Sequence, residues 1–230
     1  MNYLFKLGGL AALIDAATYL FGMAILVIVL VPAGFGSSDT DQLKLVAFLV
    51  ENHRLMFIWN FVIFVVNAVF LAFLAVAIYQ RLWPETPALA QLSLTFGTIW
   101  ATLVLGAGMV ANVGFAEVVR QHSTTPNEAA ALWHIVHTIE NGLGGGNEIA
   151  GGVWALILGI SFLRAAVFPR LLAYFSLLIG LSGLSTVLPG MSDIGGPVFG
   201  IGFILWFIWV GVVLLRSPAH SQAPKRKGAL

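Results

Sequence analysis

Residues 7–32 read LGGLAALIDAATYLFGMAILVIVLVP, an apolar run of 26 residues broken by one carboxylate, Asp15. With Lys6 just before it, the run mimics a secretory signal peptide, but the apolar core of such a leader spans only about 7–15 residues. A helix needs roughly 20 apolar residues to cross a hydrocarbon layer about 30 Å thick. The run therefore reads as a retained first membrane span, and that reading sets the solvent for the rest of the chain.

Five more stretches pass the same test, which places spans at about 7–32, 55–80, 88–116, 147–166, 170–189 and 196–216. None alternates with the two-residue period of a barrel strand, and within lipid a helix is the structure that satisfies its own backbone. Composition agrees. The chain has 230 residues, is 59% hydrophobic and only 9% charged, and has a mean hydropathy of +0.95. A soluble domain of this length leaves a large mixed surface in water and could not hide so much apolar side chain. The expected fold is all-α: a polytopic membrane bundle of six transmembrane helices over residues 1–216, with an added amphipathic helix on the outer side. Residues 217–230, SPAHSQAPKRKGAL, read as a disordered basic tail near anionic headgroups.

Lysine and arginine set the orientation. With the N-terminus inside, Lys6, Arg81, Arg164, Arg170, Arg216, Lys225, Arg226 and Lys227 fall on the inner side, against Lys44, Arg54 and Arg120 outside. The positive-inside rule then predicts a multi-pass protein of the cytoplasmic membrane with both ends inside. His53, His122, His134 and His137 fall outside under this topology, as do most of the acids, whereas Asp15 lies within a span.

Several chemistries are disfavoured. A net charge of +1 supplies no field for nucleic acid. The absence of cysteine removes disulfides, thiolate metal sites and a cysteine nucleophile. No nucleotide loop, nucleophile elbow or zinc-hydrolase motif is present, so no catalytic residue and no cofactor is assigned.

Polar chemistry concentrates in residues 133–152, WHIVHTIENGLGGGNEIAGG. A helix start precedes it: Thr125 as cap, Pro126 at the first position and Glu128 completing a capping box. Leu132, Ile135, Val136, Ile139 and Leu143 fall on one helical face, with His134, His137, Thr138 and Asn141 opposite, as expected of an interfacial amphipathic helix. The glycines that follow either break the helix, with Asn147 capping the next span and Glu148 in its first turn, or the helix runs through. In the second case Gly144 stacks with Gly151, and Gly145 with Gly152, as a packing face.

Three uses of this stretch compete. One is architectural. The second is a metal or haem site on His134 and His137, three apart on one helix, with Glu140, Glu148 or His53 completing it. The third is a pocket for an organic ligand, formed by His134, His137, Asn141, Asn147 and Glu148. Within the spans, Asp15 must face the bundle, pair or stay protonated, and its depth separates it from the outer cluster. Asn60 and Asn67 share a face of the second span, and Asn112 lies near the outer end of the third; such amides tie helices together or line a cavity. Trp59, Trp100, Trp133 and Trp154 read as interface anchors and packing groups. The expected partners are the bilayer and either a membrane protein or a small ligand.

The second half carries GGVWALILGISFLRAAVFPRLLAYFSLLIGLSGLSTVLPG, in which Phe168-Pro169-Arg170 ends a short turn between two small-residue helices. Together with the LGGLAALIDAATYLFG start, this resembles the bacterial six-helix membrane family called domain of unknown function 4386. The resemblance implies an integral membrane protein and brings no catalytic residue with it.

Overall fold

The computed structural model describes residues 2–37, 39–145 and 148–216. Among these residues the structure is helical, with no strand. The first helix, α1 (Asn2–Ile25), continues through a π turn and a 3-10 turn until Pro32 and the left-handed Gly34 (φ 91°) stop it. Asp41 opens α2 (Gln42–Glu51): its carboxylate accepts the Leu43 and Lys44 backbone N–H groups at 3.0 and 3.4 Å. Then follow α3 (His53–Leu82), with a π stretch over Phe61–Val66, α4 (Pro87–His122) and α5 (Pro126–Glu140). A π turn, Asn141–Gly145, leads towards α6 (Ile149–Ala165), α7 (Arg170–Ser185) and α8 (Ser192–Leu215).

Five helical stretches are long and apolar enough to cross a membrane: Tyr3–Ala33, His53–Leu82, Pro87–His122, Pro126–Ala165 and Ser192–Leu215. The sixth, α7, has 16 residues, or about 24 Å. It stops at Ser185, short of the expected 189, because the Thr186 hydroxyl turns back onto the Gly183 carbonyl and a turn ending at the left-handed Gly190 follows.

The six long helices form a closed ring. α1 packs on α3, α3 on α4, α4 on α6, α6 on α7, α7 on α8, and α8 returns to α1. Short connections make sequence neighbours into spatial neighbours. Small residues set the closest approaches. A Cβ on Gly152 would stand 3.0 Å from both the Gly180 carbonyl oxygen and the Leu184 nitrogen, so α6 and α7 meet backbone to backbone. Gly8 lies against Leu214 and Gly9 against Leu215, so α1 begins beside the end of α8. This is called the termini end below, and the opposite one the far end.

Two cores follow. Aromatic rings fill the ring's interior: Trp100 on Phe203 (4.9 Å), Phe199 on Phe203 (4.7 Å), Trp154 on Trp206 (5.5 Å) and Phe162 on Phe168 (4.1 Å). Ser176 accepts the Trp206 indole N–H at 2.7 Å, so that buried donor is satisfied. A second core at the far end joins Leu30, Leu49, Met56, Trp59, Phe115 and Trp133. It exists because α4 has 36 residues, about 54 Å, and projects past a hydrocarbon layer of about 30 Å. α2 and α5 pack along that projection.

α5 differs from the sequence expectation in two respects. Its buried stripe is Ala129, Trp133, Val136 and Glu140, while Ile135 and Ile139 are about half exposed. Ala129 and Trp133 dock into the far-end core, and the residues on their face, Val136 and Glu140, turn inward with them. Nor does the capping box form. Thr125 makes no side-chain cap and donates instead to the Gln121 carbonyl at 3.5 Å, and Glu128 is exposed. The carbonyls left over at the end of α4 compete for that hydroxyl.

Candidate functional site

The two cores do not meet everywhere. Between them lies a cavity of about 800 Å³. Tyr19, Gly22 and Met23 of α1, Leu26 and Val31 of the turns that follow it, Trp59, Ile63, Phe64 and Asn67 of α3, and Trp100 and Val104 of α4 form its walls and floor, with Gly200 of α8. Phe35, Gly36, His137, Glu140, Asn141, Gly144 and Glu148 complete it, and Gly36 is exposed, so the cavity is not sealed.

Backbone breaks shape this space. Gly144 adopts φ 144°, a conformation that L side chains rarely take, so the helix is interrupted there and does not run through as a continuous glycine stack. Gly144 lines the cavity and Gly145 ends the same π turn, whereas Gly151 packs on Phe199 and Trp100, and Gly152 on α7. On the opposite wall, left-handed Gly34 and Gly36 (φ 81°) flank Phe35. Its ring reaches Trp59 (5.9 Å), Trp133 (6.4 Å) and His137 (5.3 Å).

His137 and Glu140, three residues apart on α5, pair at 2.7 Å through Nδ1 and Oε2. The imidazole stacks on Trp133, with centroids 5.2 Å apart and planes 7° from parallel. Glu148 is anchored through its backbone: its N–H donates to the Thr186 hydroxyl oxygen at 3.1 Å. Its carboxylate has no hydrogen bond or ion pair among the described residues.

The floor continues into the bundle. Asn67 donates through Nδ2 to the Thr18 hydroxyl at 3.0 Å and to Asp15 Oδ1 at 3.4 Å, and Thr18 donates to the Asp15 carbonyl at 2.8 Å. Asp15 is fully buried, and its Oδ2 has no partner among the described residues. Asp15 itself does not line the cavity and is linked to it only through Asn67.

Not every expected residue converges. Asn60 is buried outside the cavity walls, and Asn112 has a buried Oδ1 with no partner among the described residues. His134 is exposed and borders a smaller cleft with Phe35, Trp133 and His137. Asn147 lies outside the described residues. Among the described residues no group of three or more His, Asp or Glu could hold a metal ion, so His134, His137 and Glu140 do not form such a set.

The aromatic walls were missed from the sequence. Trp59, Trp100, Trp133 and Trp154 are all buried, so they serve packing and the cavity rather than an interface belt. One signal was available: Trp59, Ile63 and Asn67 recur every four residues on α3, which puts an indole and an amide on one inward stripe.

No curated protein and no solved structure matches the chain. A family model, described as a domain of unknown function (DUF4386), matches residues 7–217. With nearly the whole helical ring inside that match, the chain belongs to the DUF4386 family, as an integral membrane protein.

Proposed function

We propose that the protein binds a small organic molecule in its far-end cavity and serves as a non-catalytic sensing or accessory component of the cytoplasmic membrane. Both chain ends are inside in this reading, and the cavity faces out. The observation that carries it is the cavity itself. In a chain with 9% charged residues, His137, Glu140, Asn141, Glu148 and Asn67 gather around one space of about 800 Å³, within the roughly 300–1,000 Å³ typical of small-molecule sites. The lysine and arginine excess at the termini end supports the orientation.

Gly200 offers a clean test. It lines the cavity, and a Cβ there meets nothing within 4 Å. Gly200→Phe is therefore expected to fill the space without disturbing the fold. Small organic compounds screened by tryptophan fluorescence in lipid nanodiscs should yield ligands whose signal disappears in Gly200→Phe at unchanged melting temperature. If no compound distinguishes the two proteins, the reading fails.

One observation favours a second reading, transport. Asn67 touches both the cavity and Asp15, which supplies a polar step towards the bundle centre. Below that step the aromatic core fills the interior. For transport, Asp15→Asn should abolish any pH dependence of ligand binding, and unchanged pH dependence counts against it.

A further inference from the structure

The cavity's charge is one-sided. Its acidic walls are Glu140 and Glu148, and among the described residues no lysine or arginine lines it. The basic residues at the far end are engaged elsewhere or lie outside the walls: Lys44 pairs with Asp41 at 3.8 Å, Arg120 pairs with Glu117, and Arg54 is not a wall residue. His137 balances at most Glu140, its partner, which leaves the Glu148 carboxylate facing the space with no protein donor among the described residues. A carboxylate withdrawn from water without a partner is costly, and a cationic ligand supplies that partner.

The rest of the wall has a matching preference. Tyr19, Phe35, Trp59, Phe64 and Trp100 surround the same space. Aromatic faces attract cations through their ring quadrupoles, best when water is excluded, and tryptophan is the strongest of them. The same rings would disfavour an anion. Carboxylates and ring faces are independent features, one electrostatic and one built from packing, and both select the same ligand charge.

We infer that the cavity takes a hydrophobic organic cation, of the lipophilic amine or quaternary ammonium class, with its charge at Glu148 and its apolar body against the indoles. This rests on the cavity-binding reading above.

Tetraphenylphosphonium and tetraphenylborate share a shape and differ in charge, and triphenylphosphine oxide is a neutral relative. Their binding to the full-length protein in nanodiscs, measured against empty nanodiscs, separates the possibilities. The phosphonium is expected to bind, the borate and oxide to bind more weakly, and Glu148→Gln to weaken the phosphonium about tenfold through loss of a close opposite charge. Gly200→Phe should remove the specific signal. Equal or tighter binding of borate or oxide, or full phosphonium affinity in Glu148→Gln, overturns the cation assignment while leaving the cavity reading intact. If none of the three binds above empty nanodiscs, the cavity reading itself is overturned.

Discussion

The two halves of the ring are made from the same apolar alphabet and end up opposite in character. Between α6, α7 and α8, Trp154, Phe162, Phe203, Trp206 and Phe207 interlock and leave their side chains essentially unexposed. Between α1, α3 and the turn before α2, comparable aromatics, Trp59 and Phe35, stand around a space instead of filling it. The difference lies in the backbone. Where α6, α7 and α8 run uninterrupted, small residues draw them together; where Gly144 and the Gly34–Gly36 turn bend the chain, rings are held apart.

Substitutions that treat the halves alike should therefore give unlike results. The largest contrast is Trp206→Ala against Met23→Ala. The first opens a hole in a filled core and strips Ser176 of its donor, and should cost about 3–5 kcal/mol. Met23 already borders open space, and its loss should cost below about 1 kcal/mol. Unfolding in mild detergent with increasing dodecyl sulfate would measure both, and equal costs would mean that the two halves are packed alike.

A second contrast uses glycine. Gly152→Val forces a branched side chain into the α7 backbone and should destabilise by about 2 kcal/mol. Gly200→Ala meets no neighbour and should stay within about 0.5 kcal/mol of the parent. Melting temperatures of the two variants check this.

The third contrast lies at the seam. Asn67→Ala removes the donor to both Thr18 and Asp15 and should cost about 1–2 kcal/mol, because an acid oxygen is left buried without a partner. Asp15→Asn keeps the shape and removes the charge, and should change stability by less than about 1 kcal/mol. A double-mutant cycle of the pair would give their coupling directly, and additive effects would show that the hydrogen bond contributes nothing.

Much of this architecture was legible in the chain. Long apolar runs dictate helices because lipid offers no partner for an unpaired backbone. The family was legible from the α6–α7 region and the first span, and His137, Glu140, Asn141 and Glu148 were singled out and do come together. What was not legible was which face turns in. Ile135 and Ile139 turn out and Glu140 turns in, because Ala129 and Trp133 dock into the far-end core and carry their whole face with them, which spacing on α5 alone does not show. Nor could spacing alone show that Asn60 and Asn112 stay outside the cavity whereas Asn67, seven residues after Asn60, lines it. That depends on the π stretch over Phe61–Val66, which shifts the helical register between the two amides.

The absence of native cysteine makes the most direct test a clean one. A single cysteine placed by Gly200→Cys lies in the cavity wall, and one placed by Ala155→Cys lies in the filled core. With a small, charged, membrane-impermeant methanethiosulfonate added outside intact cells, Gly200→Cys should be modified, an excess of bound ligand should protect it, and Ala155→Cys should stay unreacted. An inert cysteine at position 200 from outside, or equal reaction at both positions, would contradict an outward-opening cavity above a closed core.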